Sequence, residues 1–256
     1  MKYDCHVEVF DPVRWRPAKE NMSRGCATAG DLQAFLYTRR TQHAVVVQAL
    51  DYSGAHGCLL DAVRTMGVNT RAVGTLSSYA NSTEIEALSQ LGMRGTRVVM
   101  QNLNFLKALE DIEHLHAALP PQWHIELTGS WSWLAGLGPP LARLQRIFVA
   151  VCPGMWQQPF ALSDTSRFLW WLEMGNVYLK LLSREHLNCQ RALCLAQPLL
   201  ASALCGAADR LLWGSGWPYP SARPLPASAS LQSDGRLSWS ANALDFNARA
   251  VYGFND

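Results

Sequence analysis

The stretch Asp4-Cys5-His6-Val7-Glu8-Val9-Phe10 sets an imidazole and a carboxylate two residues apart in an apolar run. On a strand, residues i and i+2 project from one face, so His6 and Glu8 look into the same space. Burying such a pair is costly unless it is hydrogen-bonded or used. A carboxylate whose proton affinity is raised by burial serves as a general base, with His6 orienting it or sharing the proton. The competing reading is a structural, solvated pair.

Other side chains suggest contacts to a substrate. Arg97, Lys180 and Arg184 are cations that suit carboxylates, arginine best because of its two-pronged donor geometry. Arg97 equally suits a surface salt bridge, and a desolvated Lys180 suits Schiff-base or proton-transfer chemistry. Gln48, Gln101 and Trp217 join them as substrate-binding candidates, and Tyr219 joins His6 and Glu8 as a catalytic candidate. Tyr219 reads either as a proton donor to a carbonyl or phenolate oxygen or as a pocket wall beside Trp217. Cys152 has no visible neighbour to lower its pKa and reads as buried and inert. A catalytic metal takes about three protein ligands. Only His6 and Glu8 offer themselves, with Glu126 or Cys152 as additions, so neither a metal nor another cofactor is expected.

These residues need a scaffold. Short β-branched runs alternate with helical patterns along the whole chain, and the strand candidates are 3–10, 43–50, 70–76, 96–101, 124–128, 146–152, 177–182 and 210–214. Runs such as HAVVVQAL and RIFVAVC are apolar on consecutive positions, as strands covered on both faces should be. Segments 31–40, 57–67, 83–92, 104–119, 166–175, 191–206 and 241–252 carry helical spacing, and several end in glycine. The stretch 131–144 is a weaker helix because Gly138-Pro139-Pro140 interrupts it. Eight such units predict a single (β/α)₈ TIM barrel over residues 1–256, an α/β fold, with an open doubly wound sheet as the rival. The Pro- and Ser-rich stretch 217–236 reads as a long loop over the barrel mouth, and 11–30 is similar.

Composition removes other classes. The 256 residues are 49% hydrophobic and 16% charged, with a formal net charge of +2 and scattered basic residues, so nothing points to nucleic acid. No apolar stretch approaches the roughly 20 residues needed to cross a bilayer, so no membrane partner is expected. Seven cysteines without a C-x-x-C pair, and an N-terminus with no apolar run behind Lys2, read as reduced thiols in a cytoplasmic protein.

Three stretches resemble the amidohydrolase-related family of the amidohydrolase superfamily, and in particular its 2-pyrone-4,6-dicarboxylate lactonase-like branch. Residues 4–10 are similar to its first-strand D-x-H-x-H-x-F. The stretch DRLLWGSGWP (209–218) is similar to its last-strand D-R-[LI]-[LM]-[WF]-G-[ST]-D-W-P. NARAVYGF (247–254) is similar to its closing N-P-A-R-L-Y-G-F helix. The resemblance implies a barrel with its site at the C-terminal strand ends, and hydrolysis without metal in the lactonase branch. It also marks departures: Glu8 replaces the second histidine, Cys152 lies where D-H-M-G supplies another, Tyr219 replaces a third, and Gly216 replaces the final aspartate that activates water. The leading expectation is therefore a diverged, metal-independent hydrolase of a small lactone or cyclic carboxylate. The alternatives are a pseudoenzyme barrel that binds a ligand or partner, a non-hydrolytic cyclase, dehydratase or decarboxylase, and a metalloenzyme with an unusual ligand set.

Overall fold

The computed structural model describes residues 2–17, 26–100, 104–153, 160–182, 198–218 and 240–254. Eight parallel strands run in sequence order: β1 (Tyr3–Val7), β2 (His43–Val47), β3 (Thr70–Gly74), β4 (Met93–Val99), β5 (His124–Thr128), β6 (Phe148–Val151), β7 (Val177–Leu182) and β8 (Leu211–Gly214). Helices α1 (Ala29–Arg39), α2 (Gly57–Met66), α3 (Ser82–Gln90), α4 (Phe105–Ala118), α5 (Trp131–Leu141), α6 (Leu162–Glu173), α7 (Pro198–Gly206) and α8 (Ala241–Tyr252) alternate with them. The ring closes where Glu8 N–H donates to Trp217 O (2.7 Å), Gly216 N–H donates to His6 O (2.9 Å) and Val7 bridges Trp217. This is the (β/α)₈ barrel that the strand-helix rhythm predicts.

Side-chain alternation divides the core in two. One apolar set, including Val7, Val46, Ala72, Leu127 and Ala150, packs against the helices. The other, including Cys5, Val45, Val47, Val73, Val149, Val151 and Leu212, fills the barrel. Residues around the turn at the end of α8 (Val251, Tyr252 and Phe254) join the inner set and stopper the N-terminal end. Below the functional end, Arg146 donates to the carbonyls of His116, Leu119, Pro120 and Trp123, pinning the end of α4 to the start of β6.

Three local departures from the sequence expectation have physical causes. β4 begins at Met93 rather than Thr96: Met93 and Gly95 pair with the consecutive residues Ala72 and Val73, so Arg94 is the extra residue of a bulge, and its side chain folds back onto Ser89 O (2.7 Å) and Met93 O (2.8 Å). α5 is an eleven-residue helix that carries Pro139 and Pro140 in its last turn and ends at Leu141, one residue past them, so the donors they lack are lost only at its C-terminal end. β1 ends at Val7 and carries a bulge: between Asp4 and Val7 it advances three residues while β2 advances two, from Ala44 to Val46.

Candidate functional site

The bulge in β1 sets the site. An extra residue shifts the alternation, so that Cys5 lies in the inner core while Val7 faces the helices, and His6 and Glu8 turn inward above it. The buried Asp4 carboxylate fixes this geometry by accepting the N–H groups of His6 (3.2 Å) and Ser215 (2.9 Å). Gly214 of β8 makes room for His6: a Cβ at Gly214 would lie 2.4 Å from His6 Cβ and 2.8 Å from its backbone nitrogen.

From there a chain of charges crosses the barrel. His6 Nε2 lies 3.8 Å from Glu8 Oε1, and Arg97 Nη1 lies 3.3 Å from the same oxygen. Arg97 Nε sits 3.3 Å from Glu126 Oε1, and the other Glu126 oxygen takes the ammonium of Lys180. Arg97 also donates to Thr128 Oγ1 (3.1 Å) and to the Gln48 backbone carbonyl (3.4 Å). Glu126 and Lys180 have no solvent exposure, and the Lys180 ammonium lies over the Tyr252 ring. Register explains the convergence, because Arg97 pairs with Glu126 across β4–β5 and both therefore face the barrel interior.

Burial and neighbouring charge set the protonation states. Burial would push the Glu126 carboxyl up, but Lys180 and Arg97 outweigh it and hold the group down to about 2. Burial lowers the His6 imidazole below its usual range, with Lys180 and Arg97 adding to the effect and Glu8 and Glu126 opposing it. His6 Nδ1 has no hydrogen-bond partner among the described residues. Burial pushes Asp4 up to about 6 and the Cys152 thiol up to about 11, so Cys152 is a thiol rather than a nucleophilic thiolate at neutral pH.

Of the residues singled out from the sequence, His6, Glu8, Arg97 and Lys180 converge. Arg97 is buried, so the surface salt-bridge reading gives way to an interior one. Lys180 is closed onto Glu126, deep in the barrel and away from solvent. The Gln48 side chain is a loop brace: its amide donates to Tyr52 O and Ala55 O, and its oxygen accepts from the Thr75 N–H and hydroxyl. That leaves Gln48 no free donor for a substrate, and it touches the site through its backbone carbonyl. Trp217 stacks on Phe35 of α1 (5.7 Å) and forms the β8–β1 seam rather than a wall of the interior. Gln101, Arg184 and Tyr219 lie outside the described residues. The sequence reading undervalued Glu126 and Asp4. A charged residue on the inward register of HIELT, matched by Lys180 in VYLKLL, was the available signal for the first.

A catalytic metal requires about three protein ligands. Among the described residues no three His, Cys, Asp or Glu side chains gather to hold one. Among the described residues, His6 and Glu8 are the neighbouring donors at this end, with the Arg97 guanidinium against Glu8, and these two do not make up a metal centre. Cavities of about 720 Å³ beside α2 and the end of α3, and about 130 Å³ between α1 and α2, lie on the outside of the barrel and are not lined by the charged chain. Among the described residues, no helix is long and apolar enough to cross a membrane.

Comparison with known proteins places this architecture. No family model matches the chain. A 2-pyrone-4,6-dicarboxylate hydrolase from Comamonas testosteroni is 26% identical over 246 residues, covering 85% of this chain and 76% of the relative. A probable 2-pyrone-4,6-dicarboxylic acid hydrolase from Acinetobacter baumannii, solved with citric acid bound, superposes with a TM-score of 0.69 at 19% identity, over 99% of this chain and 100% of that one. A putative 2-pyrone-4,6-dicarboxylic acid hydrolase from Pseudomonas putida gives 0.67 at 21% identity, over 99% and 98%. An Agrobacterium tumefaciens protein solved in its apo state gives 0.74 at 17% identity, over 99% and 96%.

Proposed function

We propose that this chain, which resembles 2-pyrone-4,6-dicarboxylate hydrolases in sequence and in fold, is a metal-independent hydrolase that opens a small lactone at the C-terminal end of its barrel. The observation that carries the reading is the convergence of His6, Glu8 and Arg97, backed by Glu126 and Lys180, at the end where barrel enzymes keep their chemistry. Glu8 is the general base. It takes a proton from water as the water oxygen bonds to the lactone carbonyl carbon, and Arg97 stabilises the oxyanion that develops. The ring C–O bond then breaks, and the departing oxygen recovers the proton from Glu8 or through His6. The product is the open-chain hydroxy acid, and atoms balance with one water consumed. Lys180 acts at one remove, holding Glu126 ionised so that Glu126 fixes Arg97.

A second reading, a binding scaffold without catalysis, is favoured by one specific feature. The family's final aspartate is here Gly216, and Glu8 and Arg97 satisfy one another. The test is Glu8→Gln assayed against a panel of small lactones, with circular dichroism as a check on folding. Loss of about 10²–10⁴-fold in rate with the fold intact supports the base assignment. Unchanged turnover removes Glu8 from the chemistry, and a wild-type chain inert on every lactone leaves the scaffold reading.

A further inference from the structure

Arg97 is the cation that a substrate carboxylate would seek in this barrel, yet it is already engaged on two sides. Glu8 Oε1 meets its Nη1 and Glu126 Oε1 meets its Nε, each at 3.3 Å. Thr128 Oγ1 accepts from the same Nε and the Gln48 carbonyl from the same Nη1, so these contacts hold that edge of the guanidinium in place. Lys180, the second cation of this row of charges, is closed onto Glu126 with both side chains fully buried. Among the described residues of the charged chain, two carboxylates face two cations, and no positive charge is left over for an incoming anion. The Glu8 side chain is 15% exposed while that of Arg97 is 6% exposed, so Glu8 lies on the more accessible side of the guanidinium.

We propose that Glu8 acts as a specificity determinant, an internal carboxylate that occupies the anion subsite of Arg97. The inference rests on reading this cluster as the substrate site. A carboxylate brought to Arg97 would have to displace Glu8 or sit beside it, placing two like charges in a poorly solvated space. The site therefore takes a substrate that is uncharged where it meets Arg97, such as a neutral lactone carbonyl, and turns away a dicarboxylate at that point. Replacing Glu8 with a neutral isostere removes the resident charge and opens the guanidinium fork.

The experiment is calorimetric titration of the full chain, wild type and Glu8→Gln, with benzene-1,3-dicarboxylate as a rigid dianion probe. Glu8→Gln is expected to bind at least about tenfold more tightly than wild type. Equal affinity, or no binding by either protein, overturns the proposal. Should Glu8→Gln not fold, Glu8→Ala is heated with sodium formate or with sodium chloride at matched ionic strength. A midpoint raised by formate alone supports the proposal, and no difference overturns it. Because no turnover is read, an inactive wild type beside a tighter-binding variant sinks the hydrolase reading and leaves this one standing.

Discussion

Lys180 and Glu126 form an ion pair from which solvent is wholly excluded, with ammonium and carboxylate in direct hydrogen-bond contact across the barrel. Two buried charges of opposite sign tolerate one another, whereas one alone does not. Lys180→Met is expected to destabilise the protein by about 3–5 kcal/mol, because it leaves Glu126 only the Arg97 contact. Lys180→Met with Glu126→Gln should recover part of that loss. Urea denaturation of the single and double variants measures both, and a double variant weaker than Lys180→Met would show that the pair is not what the charges depend on.

Acid sensitivity follows from the buried imidazoles. Burial, with Lys180 nearby, lowers His124 from its usual 6.5 to about 3, and His6 is lowered as well. A depressed pKa means that the unfolded chain binds protons first, so this stability is present above pH 6.5 and lost as pH falls toward 3. Glu126, held to about 2, contributes stability that is lost only below its usual 4.5. Asp4 runs the other way: raised from 3.8 to about 6, it favours the folded state at low pH and loses that contribution as pH rises through 6. Removing Asp4's titration with Asp4→Asn should therefore steepen the loss of stability between pH 6.5 and 4, while His124→Leu should flatten it. Urea midpoints across that range decide the matter.

Gly216 has φ +72°, in the left-handed region, and a Cβ built there meets no atom within 4 Å. Gly216→Asp should fold, at a backbone cost of about 1–2 kcal/mol. It sets a carboxylate where the last-strand motif that residues 209–218 resemble has an aspartate. Under the hydrolase reading, lactone turnover should rise in this variant, and a folded Gly216→Asp with no gain would argue that the site has left the lactonase mechanism.

Gly214 admits His6 at a distance no side chain would allow. Gly214→Ala should push β8 from β1 where the barrel closes, costing about 1–3 kcal/mol. Thermal unfolding reads that cost. If the substitution is neutral, the strand spacing at this seam is looser than the packing implies.

The barrel was legible in the chain because the alternation of buried apolar strands with helical stretches is a local property, and sequence-neighbour pairing of parallel strands follows from right-handed crossovers. The pairing of His6 with Glu8 was also legible from their two-residue spacing. Two things were not. The bulge between Asp4 and Val7 depends on β1 matching its neighbours, so sequence alternation alone cannot show that the successive residues Cys5 and His6 both face inward. Partner choice is likewise non-local: Glu8 and Arg97 lie 89 residues apart, and Glu126 and Lys180 lie 54 apart. Residue type told which groups carried charge. Only the closed ring of strands, by holding them in a space with little water, decided that Arg97 answers to two carboxylates and that Gln48 braces a loop instead of reaching a substrate.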